Sequence, residues 1–591
     1  MSAPGTIEVA PVDTARPRWP LAVGGAGYVA IAIAMYAEVL RLSVARGTTC
    51  ACNDTSLFAW FFEWPLVAIT QGHNPFYSSA MFHPMGINLL SNTSVTFWSF
   101  LLLPVTAAFG PIASLNVALI AAPACSGLAA MWVARRWVRS DAAAFIAGAL
   151  YAFSPIVLVQ SAGAHLMVTS LVVPPLVLAC LDELFWRRRR NPIAVGAALG
   201  GLLVVQFFMG TEMLVMLLVA TGISLVVLGL ASLVLDRDGT AAALRAGAPG
   251  ALVALAIAVV VLAWPTAYAL AGPGHYVGPV WPGIVQAQAS LRSYVVAGYS
   301  GTALWWAPTW GRFMRPTYLG PPLVATMVAG LVWLRSCRRL WAAVAMTAVV
   351  AWLALGQRYA FGAWHTLRHL PILSNVMNER FAALFFLPAG LALAIVLDQV
   401  LRWRRDAVGI LLATAIAAAC IAPFVLDAAN GLPYRASLVW EPRWYAANAE
   451  RLPSDAVVLG FPFFNTSADL LSVQALHSMR YAVVGGTGPE WVAARQGAEA
   501  PGYRVVQRVA STVAGPDLGT VATPSERNAL LAALRGWHAT LVVVPVSRGP
   551  NTSGAARDPA AIARWLTSVL GAPRIEDAAW VWTLRTRSGH R

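Results

Sequence analysis

Long apolar runs alternate with short arginine-rich breaks along the first 430 or so residues. About 20 consecutive apolar residues are needed for a helix to cross a bilayer. On that measure about eleven runs predict spanning helices, near 20–42, 112–134, 141–160, 166–186, 193–210, 213–235, 249–270, 317–334, 340–356, 379–401 and 407–426. The breaks RRWVR (135–139), RRRR (187–190), RSCRR (335–339) and RWRRD (402–406), with Arg16 and Arg18 ahead of the first run, all fall on one side under this assignment. Arginine near span ends marks the cytoplasmic face. Residues 1–19 are therefore expected as a cytoplasmic tail, and the long loops 43–110 and 271–316 as extracytoplasmic. The apolar stretch VTFWSFLLLPVTAAFG (95–110) is short and holds Pro104, so it is expected along the outer surface rather than across the bilayer.

After Asp427 the pattern changes. AVVLGFPF (456–463), YAVVGG (481–486), TLVVVPV (540–546) and AAWVWTL (578–584) read as buried strands. ERNALLAALRGW (526–537) and PAAIARWLTSVL (559–570) read as amphipathic helices. The fold class expected is mainly α: a polytopic helical membrane domain over 20–427, followed by a small extracytoplasmic α/β domain over 428–591.

Composition agrees with a membrane protein. The chain is 58% hydrophobic and only 11% charged, where soluble domains carry roughly 25% charge. It contains no lysine, so all 41 basic residues are arginine, as in proteins from GC-rich bacterial genomes. The net charge of +15 then reports topology first, and no basic run interleaved with aromatics argues for nucleic acid. The six cysteines form no disulfide framework; Cys50 and Cys52 are expected as unpaired thiols, and their spacing matches no zinc site. P-loop, dinucleotide, HExxH and G-x-S-x-G signatures are all missing.

Ionisable residues near spans are the default functional candidates. Asp54 opens the aromatic run NDTSLFAWFFEWP, at a helix start where it also suits capping. Glu63 lies nine residues on, half a turn out of phase, and is expected to face water amid interfacial aromatics. His165 and Glu212 stand at outer span boundaries, and Glu212 is expected in the headgroup layer with no arginine one turn away. Arg380 offers a planar fork for phosphate, unless Glu379 pairs with it. His73 and Asn88, in the first outer loop, are further substrate-binding candidates.

One span, a long outer loop opening on an acid, surface helices, many more spans and an outer domain together resemble the GT-C superfamily of membrane glycosyltransferases. More closely, GHNPF…HPMGINLLSNTS (72–94), SAGAHLMVTSLVVPPLVLACLDEL (161–184), FFMGTEMLV (207–215) and LPILSNVMNERF (370–381) look like actinobacterial members. The resemblance implies an inverting transfer from a polyprenyl-phosphate-linked sugar to a cell-envelope glycan or glycolipid, in the plasma membrane. It implies Asp54 as general base, and Arg380, Arg292, Arg312 or Arg315 as cations for the leaving phosphate. The acidic pairing of many relatives is absent here, since Asn53 and Thr55 flank Asp54. No cofactor is implied beyond the option of a divalent cation. A lipid or polysaccharide transporter and a non-catalytic envelope-assembly protein are the competing classes. Carboxylates gathered at outer boundaries rather than mid-span favour the enzyme.

Overall fold

The structure is a computed structural model that describes residues 16–49, 53–91, 95–275, 287–298, 315–370, 372–488, 500–549 and 552–584. Two compact units result, one drawn from Met1–Glu38, Ala118–Ala263 and Trp281–Arg435, the other from Val39–Val117, Trp264–Val280 and Ala436–Arg591.

The first unit is helical. Helices occupy all the runs expected to span, but their lengths differ. Among the described residues seven are long and apolar enough to cross a membrane: Pro111–Trp137, Leu166–Arg187, Pro192–Met209, Thr211–Leu235, Arg237–Ala271, Asn378–Trp403 and Ala407–Gly431. Asp141–Ala152 and Pro155–Ala162 make an eighth if the pair, bent by 44°, is one span. Pro155 explains the break, because it cannot donate to the helix ladder. Trp19–Met35, Pro321–Trp333 and Arg338–Ala354, of 17, 13 and 17 residues, are shorter than the roughly 20 residues typical of a spanning helix. The stretch 95–110 forms two short helices, Thr96–Leu101 and Leu103–Phe109, and neither is long enough to span.

Asn378–Trp403 is the core of this unit, with its apolar window wholly buried inside the protein. It packs on Asp141–Ala152 and Arg338–Ala354. Gly390 makes the first contact close: a Cβ there would sit 2.9 Å from the Ala147 carbonyl oxygen. Small residues permit such backbone approach where lipid offers no hydrophobic drive between helices. The equivalent window of Arg237–Ala271 is only 17% buried, with Val259 and Val260 exposed, as a lipid-facing helix requires.

The arginine-rich breaks meet one another. Arg16 donates to the Arg135 and Val138 carbonyls at 2.9 Å. Arg136 pairs with Glu183 at 2.8 Å, and Arg187 with Asp182 at 2.7 Å. Asp398 accepts the backbone N–H groups of Arg139 and Ser140 at 3.0 and 2.7 Å. Arg16 and the RRWVR and RRRR ends are thus in contact.

The second unit is built on β-structure. Short ladders join β1 (Gly47–Thr48) to β4 (Ser437–Leu438) and β2 (Tyr77–Ser78) to β3 (Ile87–Asn88), both antiparallel. The main sheet has β5 (Val457–Gly460), β6 (Ala482–Val483), β7 (Leu541–Pro545), β8 (Arg574–Glu576) and β9 (Ala579–Thr583), in the order β6-β5-β7-β9-β8. β5 runs parallel to β6 and β7, while β9 runs antiparallel to β7 and β8. The 80–83 segment covers the β6 edge. Val483 donates to the Ala80 carbonyl at 2.8 Å, and His83 donates to the Val483 carbonyl at 3.0 Å. A sheet edge left open would template pairing with other chains.

Candidate functional site

Asp54 sits in the first turn of the Asn53–Gln71 helix and is half-buried. Its carboxylate complements the positive end of the helix dipole. The preceding Asn53 fixes this helix start, its Oδ1 accepting the Ala468 N–H at 2.9 Å. The helix packs on Asp469–Leu476.

The aromatic run is a buried face rather than an interfacial anchor. Phe58, Trp60, Phe61 and Phe62 are all 2% exposed or less. Trp60 Nε1 donates to Gln474 Oε1 at 2.7 Å, and Gln474 Nε2 donates to the carbonyls of Ala80 and Tyr481 at 2.8 and 2.6 Å. Trp60 stacks on Trp64 at 5.7 Å, and Trp64 on the exposed His73 at 6.4 Å.

Glu63 departs from its expected place. It is 4% exposed and so does not face water. The helix carries it inward with the aromatics, because most of the helix circumference is covered. Burial pushes its carboxyl from 4.5 up to about 7, and the Ser478 hydroxyl partly offsets the rise. Between those values the folded chain holds a proton that the unfolded chain lacks. Stability therefore falls as pH rises from 4.5, and the loss, on the order of 3 kcal/mol, is complete above about 7. Glu63→Gln keeps the shape and removes the titration. The variant should match wild type in thermal unfolding at pH 4.5 and exceed it at pH 8; equal behaviour at both pH values would refute the assignment.

Asn88 is fully buried and committed to the backbone. Its Oδ1 accepts from Leu90 and Ser91 at 3.0 and 3.3 Å, and its Nδ2 donates to the Tyr268 carbonyl at 2.9 Å.

In the first unit, Glu212 and Arg380 come together. Arg380 Nη1 pairs with Glu212 Oε2, and Glu212 Oε1 accepts the Met377 N–H at 3.0 Å. The side chains are 11% and 17% exposed for Arg380 and Glu212. Glu212 is therefore held inside the protein rather than in the headgroup layer, paired with Arg380. The two positions are 168 residues apart, so no local spacing could reveal the pair. Arg380 Nε is buried with no partner among the described residues. His165 is buried, with Nδ1 2.5 Å from Gln160 Oε1. Its neighbour Met167 abuts the turn before Glu212, since a Cβ on Gly210 would lie 3.2 Å from that of Met167. The loops of His165 and Glu212 are thus adjacent.

Arg292 and Arg315 are exposed. Arg312, Cys50 and Cys52 lie outside the described residues. Among the described residues no group of three or more His, Cys, Asp or Glu side chains is placed to hold a metal ion.

By sequence the chain matches no family profile and no curated protein. By fold it is similar to the oligosaccharyltransferase AglB of Archaeoglobus fulgidus, solved with an inhibitory peptide and a dolichol-phosphate. The TM-score is 0.50 at 14% identity, covering 89% of this chain and 69% of that one. The apo form of the Archaeoglobus fulgidus oligosaccharyltransferase gives 0.50 at 15%, covering 90% and 70%. The arabinofuranosyltransferase AftD from Mycobacteria gives 0.57 at 14%, covering 98% of this chain but 40% of its own length. At such identities the likeness is one of fold.

Proposed function

We propose that this chain is a membrane glycosyltransferase of the GT-C type that takes a sugar from a polyprenyl-phosphate carrier. The observation that carries the proposal is the fold shared with two glycosyltransferases over nearly the whole chain, one of them solved with a dolichol-phosphate. In this proposal eleven helices cross the plasma membrane. The arginine-rich ends lie inside, and residues 428–591 and the acid-bearing first loop lie outside, where a cell-envelope acceptor is met.

The chemistry is an inverting displacement. An acceptor hydroxyl oxygen forms a bond to the anomeric carbon as the bond from that carbon to the phosphate oxygen breaks. The hydroxyl proton passes to the Asp54 carboxylate, and polyprenyl phosphate leaves with the bonding electrons. Charge grows on the phosphate and calls for a cation. Arg380 is the first candidate, because Glu212 orients its fork and its Nε–H lacks an acceptor among the described residues. Arg292, Arg312 and Arg315 are the others.

Lipids extracted from the purified protein test the carrier. Mass spectrometry should find polyprenyl phosphate or its sugar adduct enriched over the surrounding membrane. Bulk phospholipid alone, with no polyprenyl species retained, would count against a lipid-linked donor.

A further inference from the structure

We infer that the arginine-rich end of the helical unit holds a second site, one that binds a phosphate anion. Trp137, Cys337, Arg339, Asp398 and Arg402 line a small cleft there of about 40 Å³, together with the apolar wall of Trp333 and its neighbours. It is separate from the residues given catalytic roles above and stands or falls independently of the transferase proposal.

Four features of the cleft call for an anion. Trp137 is only 6% exposed, and its indole N–H is buried without an acceptor among the described residues. Such an orphan donor costs about 1–3 kcal/mol unless something accepts from it. The Arg338–Ala354 helix begins at this cleft, and its N-cap residue Cys337 makes no side-chain cap. No acid lies in its first turn, so no side chain answers the positive end of the dipole, although the Cys337 and Leu340 N–H groups donate to the Leu334 and Cys337 carbonyls. Arg339 spends one donor on a long 3.4 Å bond to the Trp137 carbonyl. Arg402 brings a second cation to the lining.

The acids nearby are otherwise engaged. Asp398 accepts two backbone N–H groups, from Arg139 and Ser140. Asp182 is held by Arg136 and Arg187. With Arg339 and Arg402 set against Asp398, the lining is net positive, and its donors of fork, indole and backbone type suit the several oxygens of a phosphate. The wall beside it is apolar and aromatic. Trp333 is 44% exposed and meets Trp403 edge-on at 6.0 Å, as tryptophans do at headgroup depth. A phospholipid headgroup or free phosphate can supply the same anion.

The test uses the full chain in detergent with two probes and two variants. Trp137→Phe removes the N–H and keeps an aromatic ring, while Arg402→Gln removes a half-buried charge. Phosphatidylglycerol is followed by native mass spectrometry, and inorganic phosphate by thermal unfolding against chloride of equal ionic strength. Wild type should bind at least one probe, and each variant should bind it about tenfold more weakly, the loss of one charge-assisted or buried donor. A lipid-only response names the headgroup as source, and a phosphate response names the free ion; either supports the site. Should one variant fail to fold, the other decides. No binding of either probe, or binding unchanged in the folded variants, overturns it.

Discussion

Asp54→Asn should abolish sugar transfer while the protein still folds and inserts. The substitution removes a negative charge and a proton acceptor but keeps the side chain's size. A general base contributes roughly 10²–10⁴-fold to rate, so the expected loss is of that order. Folding should be little affected. Asparagine is as good as aspartate at a helix start, and the carboxylate is half-buried at a helix end where its charge is worth under about 1 kcal/mol. The comparison to make is initial rate per folded protein. Transfer by the Asp54→Asn variant at the wild-type rate would remove Asp54 from the mechanism.

The second large effect concerns stability. Arg380→Met leaves Glu212 mostly buried with one remaining donor, the Met377 N–H. Breaking a buried pair from one side costs about 3–5 kcal/mol, chiefly because a charge is stranded. Glu212→Gln in the same background removes that charge. The double variant should therefore be more stable than Arg380→Met alone, and the two single losses should not add. Chemical denaturation of the detergent-solubilised protein measures this. Simple additivity would show that the two side chains do not act as a pair.

Much of the fold is legible because its causes are local. A run of apolar residues specifies a buried or lipid-facing helix wherever it occurs, and arginine at its ends specifies a side. The strands at 456–463, 481–486, 540–546 and 578–584 are equally readable, since β5, β6, β7 and β9 are short and apolar. β8 has no such signal, because Arg574–Glu576 is a polar edge strand exposed at every position. The helix Ala500–Ala510 carries Pro501 and Gly502 in its first turn, so residues that usually break helices mask its apolar face.

The site is less legible, because its residues are defined by long-range contacts. Asp54 is singled out by its place at a helix start taken together with the GT-C resemblance. Glu63 cannot be placed that way: its hydroxyl partner is Ser478, and its helix packs on Asp469–Leu476, where Gln474 is 414 positions from Trp60. Burial, unlike helical phase, is a property of the partner surface. The same holds for Glu212, whose partner arginine is on another helix altogether. The indole of Trp137, without an acceptor among the described residues, and the helix at Cys337, without a side-chain cap, carry no sequence signature, as each is defined by what fails to reach it.

The central claim is that a lipid-linked sugar is consumed and not merely moved. Purified chain in proteoliposomes containing a polyprenyl-phosphate-linked sugar, with an extract of envelope glycans as acceptor, reports on this directly. Acceptor-dependent release of polyprenyl phosphate is expected, with the anomeric configuration inverted in the product. Intact donor appearing on the opposite leaflet, with no polyprenyl phosphate released, would contradict it and make the chain a flippase.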